Sequence, residues 1–126
     1  GAKLGAPEKL VVNIMGDAAI GMAGMDIETA VRHNIPILTI VLNNHVLSGY
    51  SKNYPVATEK FGFTNLYGEY SELAKSLGAH SERVENPEQI IPSIERAREA
   101  MKDGKPALIE FMTKEENNLS KYAPGS

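Results

Sequence analysis

The chain has 126 residues, of which 42% are hydrophobic, with no cysteine and a formal charge of −3 from 13 basic and 16 acidic side chains. That length suits one domain around a single core, and the mixed, mildly acidic charge excludes an electrostatic footprint for nucleic acid or an anionic membrane. No apolar run approaches the roughly 20 residues needed to span a bilayer, and with no cysteine and no signal-type N-terminal segment a cytoplasmic protein is expected.

In chain order, a Gly/Pro-rich start leads into the apolar stretch Leu10–Met15, which reads as a buried parallel strand. A helical pattern follows from about Met22 to His33, stopped by Asn34 and Pro36. The second apolar stretch, Ile37–Leu42, comes at once. Strand, helix and strand with so short a return make a right-handed crossover, so the two strands are parallel and end on the same edge. From Asn43 to about Gly68 periodicity vanishes and Gly, Ser, Asn, Tyr and Pro dominate, which predicts a long loop of the kind kept for function.

Regular structure resumes with a helix over Tyr70–Leu77 ended by Gly78, a strand at His80–Val84, a helix over Pro87–Met101 and a strand at Ala107–Met112. Asn86 as cap, Pro87 in the first helical position and Gln89 three beyond the cap predict that last helix start. This alternation predicts an α/β domain, an open, mostly parallel sheet with helices on both faces, over residues 1–113. A polar tail at 114–126 is expected to fray. Within it, Asn118-Leu119-Ser120 fits the glycosylation acceptor pattern, set aside for want of a secretory signal.

The two strands of the crossover each run into polar groups: Gly16-Asp17-Ala18 after the first and Asn43-Asn44 after the second. In open parallel sheets ligands settle beyond the carboxyl ends of strands, where chain reversals leave room. An Asp carboxylate, an Asn side-chain carbonyl and a nearby backbone carbonyl supply three hard oxygen ligands for Mg2+ or Ca2+ and leave positions for phosphate oxygens and water. Ala18–Gly24 enters the following helix through small residues, so backbone N–H groups can approach a phosphate closely. The pattern points to a metal-diphosphate site in which backbone and metal, rather than lysine, meet the negative charge.

At these residues the chain resembles the diphosphate-binding domain of thiamine diphosphate enzymes of the acetolactate synthase, pyruvate decarboxylase and oxalyl-CoA decarboxylase type. Their motif is Gly-Asp-Gly, some 26 residues, then Asn-Asn, and here 26 residues lie between Asp17 and the second asparagine, Asn44, or 24 between Ala18 and Asn43. The resemblance extends through Ala6-Pro7, Glu28-Thr29-Ala30-Val31-Arg32, Asn34-Ile35-Pro36 and Tyr70-Ser71-Glu72-Leu73-Ala74 closing at Gly78, and covers Gly1 to about Thr113. It implies a thiamine diphosphate-binding fold in which Asp17, the Asn44 side chain and the Val46 backbone carbonyl ligate Mg2+. The cofactor-binding set so implied is Gly16, Asp17, Ala18, Ala19, Asn44 and Val46.

Two positions depart from the family pattern. Ala18 replaces the third motif glycine, which is acceptable where φ is negative, and the glycine after Asn-Asn stands at Gly49, later than in many relatives.

By the same resemblance, the cofactor lies between domains of two subunits of a homo-oligomer. A pyrimidine-binding domain, on the same or another chain, contributes the activating glutamate. That domain is not in this sequence, and Gly1-Ala2-Lys3-Leu4 resembles the end of a helix, so the chain is expected to be N-terminally truncated and inactive alone, with no catalytic side chain assigned. The implied activity is decarboxylation of 2-keto acids or acyl-CoA substrates, with or without ligation of the product to a second carbonyl. The rival readings are a noncatalytic assembly subunit or remnant, and a Rossmann-type nucleotide module. The latter is disfavoured because Gly16, Gly21 and Gly24 do not make G-x-G-x-x-G.

Other residues read more plainly. His45 is expected to be a solvated loop side chain, His33 to suit the end of its helix, and His80 to lack a partner. Met15, Met22 and Met25 read as core filler in preference to a lining for the thiazolium pocket. Tyr50, Tyr54, Phe61, Phe63 and Tyr67 are dense enough to predict that the long loop packs over a cofactor or another subunit. Glu95, Arg96, Arg98 and Glu99 read as the solvated face of the last helix.

Overall fold

Four parallel strands organise the computed structural model, which describes residues 1–115: β1 (Val12–Gly16), β2 (Leu38–Asn43), β3 (His80–Val84) and β4 (Ala107–Met112). They lie side by side in the order β1-β2-β4-β3. The helices are α1 (Ala2–Gly5), α2 (Asp17–Ala23), α3 (Asp26–Arg32), α4 (Tyr50–Asn53), α5 (Pro55–Phe61), α6 (Tyr70–Ser76) and α7 (Ile90–Lys102). The expected open parallel sheet with helices on both faces is therefore what forms.

Winding direction decides which face each helix covers. The chain steps outward from β1 to β2 and on to β3, then back one place to β4. Right-handed crossovers put outward connections on one face and the return on the other. Accordingly Ile20 of α2, Ile27 of α3 and Ala74 of α6 pack with Val41 and Leu108 on one face. Ala97 and Met101 of α7 pack with Leu38, Ala107 and Ile109 on the other. Each large aliphatic side chain buried in these layers contributes about 1.5–3 kcal/mol, and alanine at the fully buried positions 74 and 97 lets the helix axes lie close to the strands.

Several expectations are corrected. Leu10–Met15 read as a strand buried on both faces, but β1 is an edge strand with Val12 43% and Ile14 63% exposed, because α7 returns only as far as β2. The single helix expected from Met22 to His33 is two. α2 starts at once after β1, and the run breaks just past Gly24, where the Ile27 and Glu28 N–H groups donate three residues back, to the Gly24 carbonyl at 3.2 Å and the Met25 carbonyl at 3.1 Å, instead of four. Met15 does pack against the core, whereas Met22 (84% exposed) and Met25 (63%) lie outside it and are not core filler.

The 43–68 segment also holds more structure than a loop. α4 and α5 form there, with Pro55 opening α5 and Gly62 ending it at φ +56, and Val46 bridges antiparallel to Asn65. The expected capping box at Asn86 does not form. Pro87–Gln89 is a 3-10 turn without a side-chain cap, its Gln89 N–H donating to the Asn86 carbonyl, and α7 begins at Ile90. Thr113–Glu115 carry no regular structure, while the rest of the polar tail, with Asn118-Leu119-Ser120, lies outside the described residues. Among the described residues no helix is long and apolar enough to cross a membrane.

Candidate functional site

β1 and β2 are hydrogen-bonded neighbours with Gly16 opposite Leu42, so the first residues beyond the two strands emerge side by side. Gly16 is extended (φ −82, ψ 169), and Asp17 turns directly into α2. Its carboxylate is almost fully buried, at 5% exposure. Oδ1 accepts the Ala18 N–H at 2.9 Å, and Oδ2 accepts the N–H groups of Asn44 at 3.2 Å and His45 at 2.8 Å. Two segments separated by a whole crossover are thus tied at one carboxylate.

On the β2 side the turn is built by asparagines. The Asn43 Oδ1 accepts the His45 N–H at 3.0 Å, and the Asn44 Oδ1 accepts the Val46 N–H at 3.0 Å, two side chains each closing a turn over the residue two beyond. The Asn44 Nδ2 donates to the Ser48 hydroxyl at 3.0 Å. His45 has φ +62, a left-handed backbone that a non-glycine residue adopts at a cost of about 1–2 kcal/mol, and that conformation delivers its N–H to both Asp17 and Asn43. The Val46 carbonyl accepts no hydrogen bond among the described residues. A cavity of about 430 Å3 lined by His45, Val46, Asn65, Leu66 and Tyr67 adjoins this turn.

Among the described residues no Lys, Arg or His side chain forms an ion pair with Asp17. A carboxylate offers about four acceptor positions. Three are taken here, leaving one, and the Asn44 Oδ1 keeps one of its two. Tyr70 lies nearby: burial first, then the carboxylates of Asp17 and Glu110, push its hydroxyl above the ordinary tyrosine pKa, so it stays protonated. Its ring lies so close to the Gly68 backbone that a Cβ there would be 2.5 Å from Cζ. No group of three or more His, Cys, Asp or Glu side chains able to hold a metal occurs among the described residues, so any ion here depends on amide, carbonyl and external oxygens besides Asp17.

The structure brings together the residues singled out from sequence. Gly16, Asp17, Ala18 and Ala19 are consecutive across the end of β1 and the start of α2, and Asn44 and Val46 follow β2 beside them. Ala18 is not among the positive-φ residues, so alanine replaces the motif glycine without strain. A Cβ on Gly16 would meet nothing within 4 Å, so the chain's own packing does not require glycine there. One expectation differs: winding reverses between β3 and β4, not between β1 and β2, so the site is no point of chain reversal.

Sequence reasoning missed the structural parts of the site. The His45 backbone acts where only its ring was weighed. Asn43 and Glu110 are both fully buried and joined at 2.6 Å, and the signal was a lone Glu in the apolar strand ALIEFM. Of the aromatic residues, Tyr50 stacks on Tyr54 and Tyr54 meets Phe63 edge-on, while Phe61 and Tyr67 stand exposed. His80 does have a partner, Glu82 at 3.0 Å; Glu95, Arg96, Arg98 and Glu99 are exposed on α7 as expected, and Arg96 also pairs with the Glu82 carboxylate.

Comparison with known proteins adds independent findings. Residues 1–111 match the family model described as the thiamine pyrophosphate enzyme, C-terminal TPP binding domain. The chain is 36% identical over 115 residues to the sulfoacetaldehyde acetyltransferase of Alcaligenes xylosoxydans xylosoxydans, covering 89% of this chain and 19% of that protein. It is 32% identical over 124 residues to the acetolactate synthase large subunit of Corynebacterium glutamicum, covering 92% and 19%. Among solved structures, the thiamine diphosphate-dependent 4-hydroxybenzoylformate decarboxylase of Rhodococcus jostii RHA1 superposes with a TM-score of 0.74 at 21% identity, over 93% of this chain and 22% of that one, which establishes likeness of fold. The chain spans about one fifth of the length of the curated relatives it matches.

Proposed function

Because the chain belongs to the family of C-terminal TPP-binding domains of thiamine pyrophosphate enzymes, we propose that its β1–β2 end is where the diphosphate is anchored through Mg2+. Asp17, the Asn44 side chain and the Val46 carbonyl are the proposed metal ligands. Gly16 and the backbone of Ala18 and Ala19 are the proposed diphosphate contacts. The observation that supports this most is the buried Asp17 carboxylate, which shares its hydrogen bonds with the Asn44 turn, keeps one acceptor position open and, among the described residues, has no ion-pair partner. A buried charge is costly unless paired or metal-bound. The three proposed ligands are hard oxygens, the donor set that Mg2+ prefers when phosphate completes its shell.

Thiamine diphosphate, when bound, supplies an electron sink for cleaving or forming a bond next to a carbonyl. This chain's residues would hold and orient it. Asp17 and the His45 N–H lock the two strand ends together, Asn44 closes its own turn by accepting the Val46 N–H, and Tyr70, its hydroxyl pKa raised by burial and by the carboxylates of Asp17 and Glu110, adds no charge nearby. For the whole protein we propose a decarboxylase or carboligase, the class of the relatives named acetolactate synthase, sulfoacetaldehyde acetyltransferase and 2-hydroxyacyl-CoA lyase. Its partners would be a pyrimidine-binding domain on the same or another chain and further copies of itself in a homo-oligomer.

Thermal unfolding of the chain with thiamine diphosphate and Mg2+, against NAD and against thiamine diphosphate with chelator, tests the proposal. Ligand at a hundred times its Kd stabilises by about 2.7 kcal/mol. A rise that needs both thiamine diphosphate and Mg2+ is expected, and a rise with NAD alone would overturn it. Restored turnover on mixing with a separately made pyrimidine-binding domain would set an enzyme component apart from an assembly remnant.

A further inference from the structure

Glu110 is fully buried in the middle of the sheet, and among the described residues it forms no ion pair. An apolar residue in a strand such as ALIEFM would spare the burial of a charge, so the contacts of this one carry information. Its Oε2 accepts the Ser71 N–H at 2.9 Å, and its Oε1 accepts the Asn43 Nδ2 at 2.6 Å. The Asn43 Nδ2 also points to the Gly68 carbonyl, at 3.4 Å. The other end of the same amide, Oδ1, accepts the His45 N–H, which in turn reaches Asp17 Oδ2.

An asparagine amide has nearly the same shape in both orientations, so its neighbours decide which end points where. At Asn43 both neighbours on the inner side, Glu110 and the Gly68 carbonyl, are acceptors, while the neighbour on the outer side, the His45 N–H, is a donor. We propose that Glu110 is a positioning residue: as an acceptor-only group it sets the polarity of the Asn43 amide, so that Oδ1 faces outward and holds the left-handed His45 turn against Asp17. The relay runs Ser71, Glu110, Asn43, His45, Asp17, from a helix start through the sheet to the strand ends. Its role in cofactor anchorage rests on the function proposed above, whereas its role in fixing the turn stands on the hydrogen bonds alone.

The test is a polarity reversal. Glu110→Gln sets an amide N–H2 against a partner that is itself a donor. Asn43→Asp sets two carboxylates together. Combined, the two changes let the new amide at position 110 donate to the new carboxylate at position 43 while its own oxygen accepts the Ser71 N–H, and that carboxylate again offers an oxygen to the His45 N–H; only the long 3.4 Å contact to the Gly68 carbonyl goes unreplaced. Two readouts are taken on the full chain: calorimetric titration with thiamine diphosphate and Mg2+, and hydrogen exchange of the His45 amide without cofactor.

Each single variant is expected to weaken Mg2+-dependent binding by about tenfold, the scale of one buried hydrogen-bond mismatch, and to speed His45 exchange, with the double variant recovering both. Single variants unchanged in both readouts, or a double variant no better than Glu110→Gln, would overturn the relay. Should the unsubstituted chain take up no thiamine diphosphate, the proposed function fails by itself. His45 exchange then decides the relay alone, recovery in the double variant supporting it and lack of recovery overturning it. If Glu110→Gln does not fold, a folded double variant with wild-type His45 exchange supports the proposal, and an unfolded one refutes it.

Discussion

Replacing Asp17 separates the two duties of its carboxylate, tying strand ends and offering a site to a cation. Truncation to alanine deletes three accepted hydrogen bonds, from Ala18 at 2.9 Å, Asn44 at 3.2 Å and His45 at 2.8 Å. Not all three donors are stranded. The His45 N–H keeps the Asn43 Oδ1 at 3.0 Å, and the Ala18 N–H lies in the first turn of α2, where the backbone is half-buried and water replaces the lost partner. The Asn44 N–H, half-buried as well, loses its only acceptor among the described residues, which costs about 0.5–1.5 kcal/mol, the net worth of one hydrogen bond. A domain with about 5–15 kcal/mol of stability survives that loss, with a midpoint lowered by roughly 4 °C for each kcal/mol.

Asp17→Asn keeps one oxygen for the Asn44 and His45 N–H groups and is expected to cost about half as much, since fewer buried donors lose an acceptor. Its decisive change is the loss of the negative charge. Wild-type chain heated with saturating thiamine diphosphate should melt higher with Mg2+ than with chelator, by roughly 10 °C at a hundred times Kd, and the asparagine variant should show no Mg2+-dependent increment. An increment equal to wild type in Asp17→Asn would refute the assignment of Asp17 to the metal. An alanine variant as stable as wild type would refute the hydrogen-bond reasoning.

Gly24→Ala places a Cβ 2.6 Å from the backbone oxygen of Ile20, so the break between α2 and α3 must shift; a loss of about 1–3 kcal/mol in urea denaturation is expected. His45→Gly removes the ring but keeps the N–H and the left-handed φ, so it should leave stability within about 1 kcal/mol of wild type and leave Mg2+-dependent cofactor binding unchanged by calorimetry; a large loss of binding would show that the imidazole, not the backbone, is what matters there. Glu82 is held below the ordinary carboxylate pKa by its hydrogen bond from Arg96. A depressed folded-state pKa means the ionised pair stabilises at all pH values above the unfolded value, about 4.3, and that this contribution is lost as pH falls below it. Glu82→Gln should therefore flatten the acid limb of a stability-against-pH curve, and an unchanged limb would refute the role of the pair.

Much of this protein was legible in its residue order because the relevant forces are local. Apolar stretches of strand length at Leu10–Met15, Ile37–Leu42 and Ala107–Met112, helical periodicity between them and short return loops require a parallel α/β sheet by themselves. The Asp17–Asn44 spacing required that both residues emerge at one edge, since parallel neighbours end together. What periodicity cannot report is which strand lies at the border, where winding turns back, and which side chains meet across it. The exposure of Val12 and Ile14 follows from β1 having no outer neighbour among the described residues and from α7 returning only to β2. The meeting of Asn43 with Glu110 spans 67 positions, and the backbone of His45 gained its role only when folding set its N–H between Asn43 and Asp17. Local chemistry named the polar groups at the strand tips; the three-dimensional arrangement alone decided how they are oriented, because hydrogen-bond direction is settled between segments that are neighbours in space and strangers in sequence.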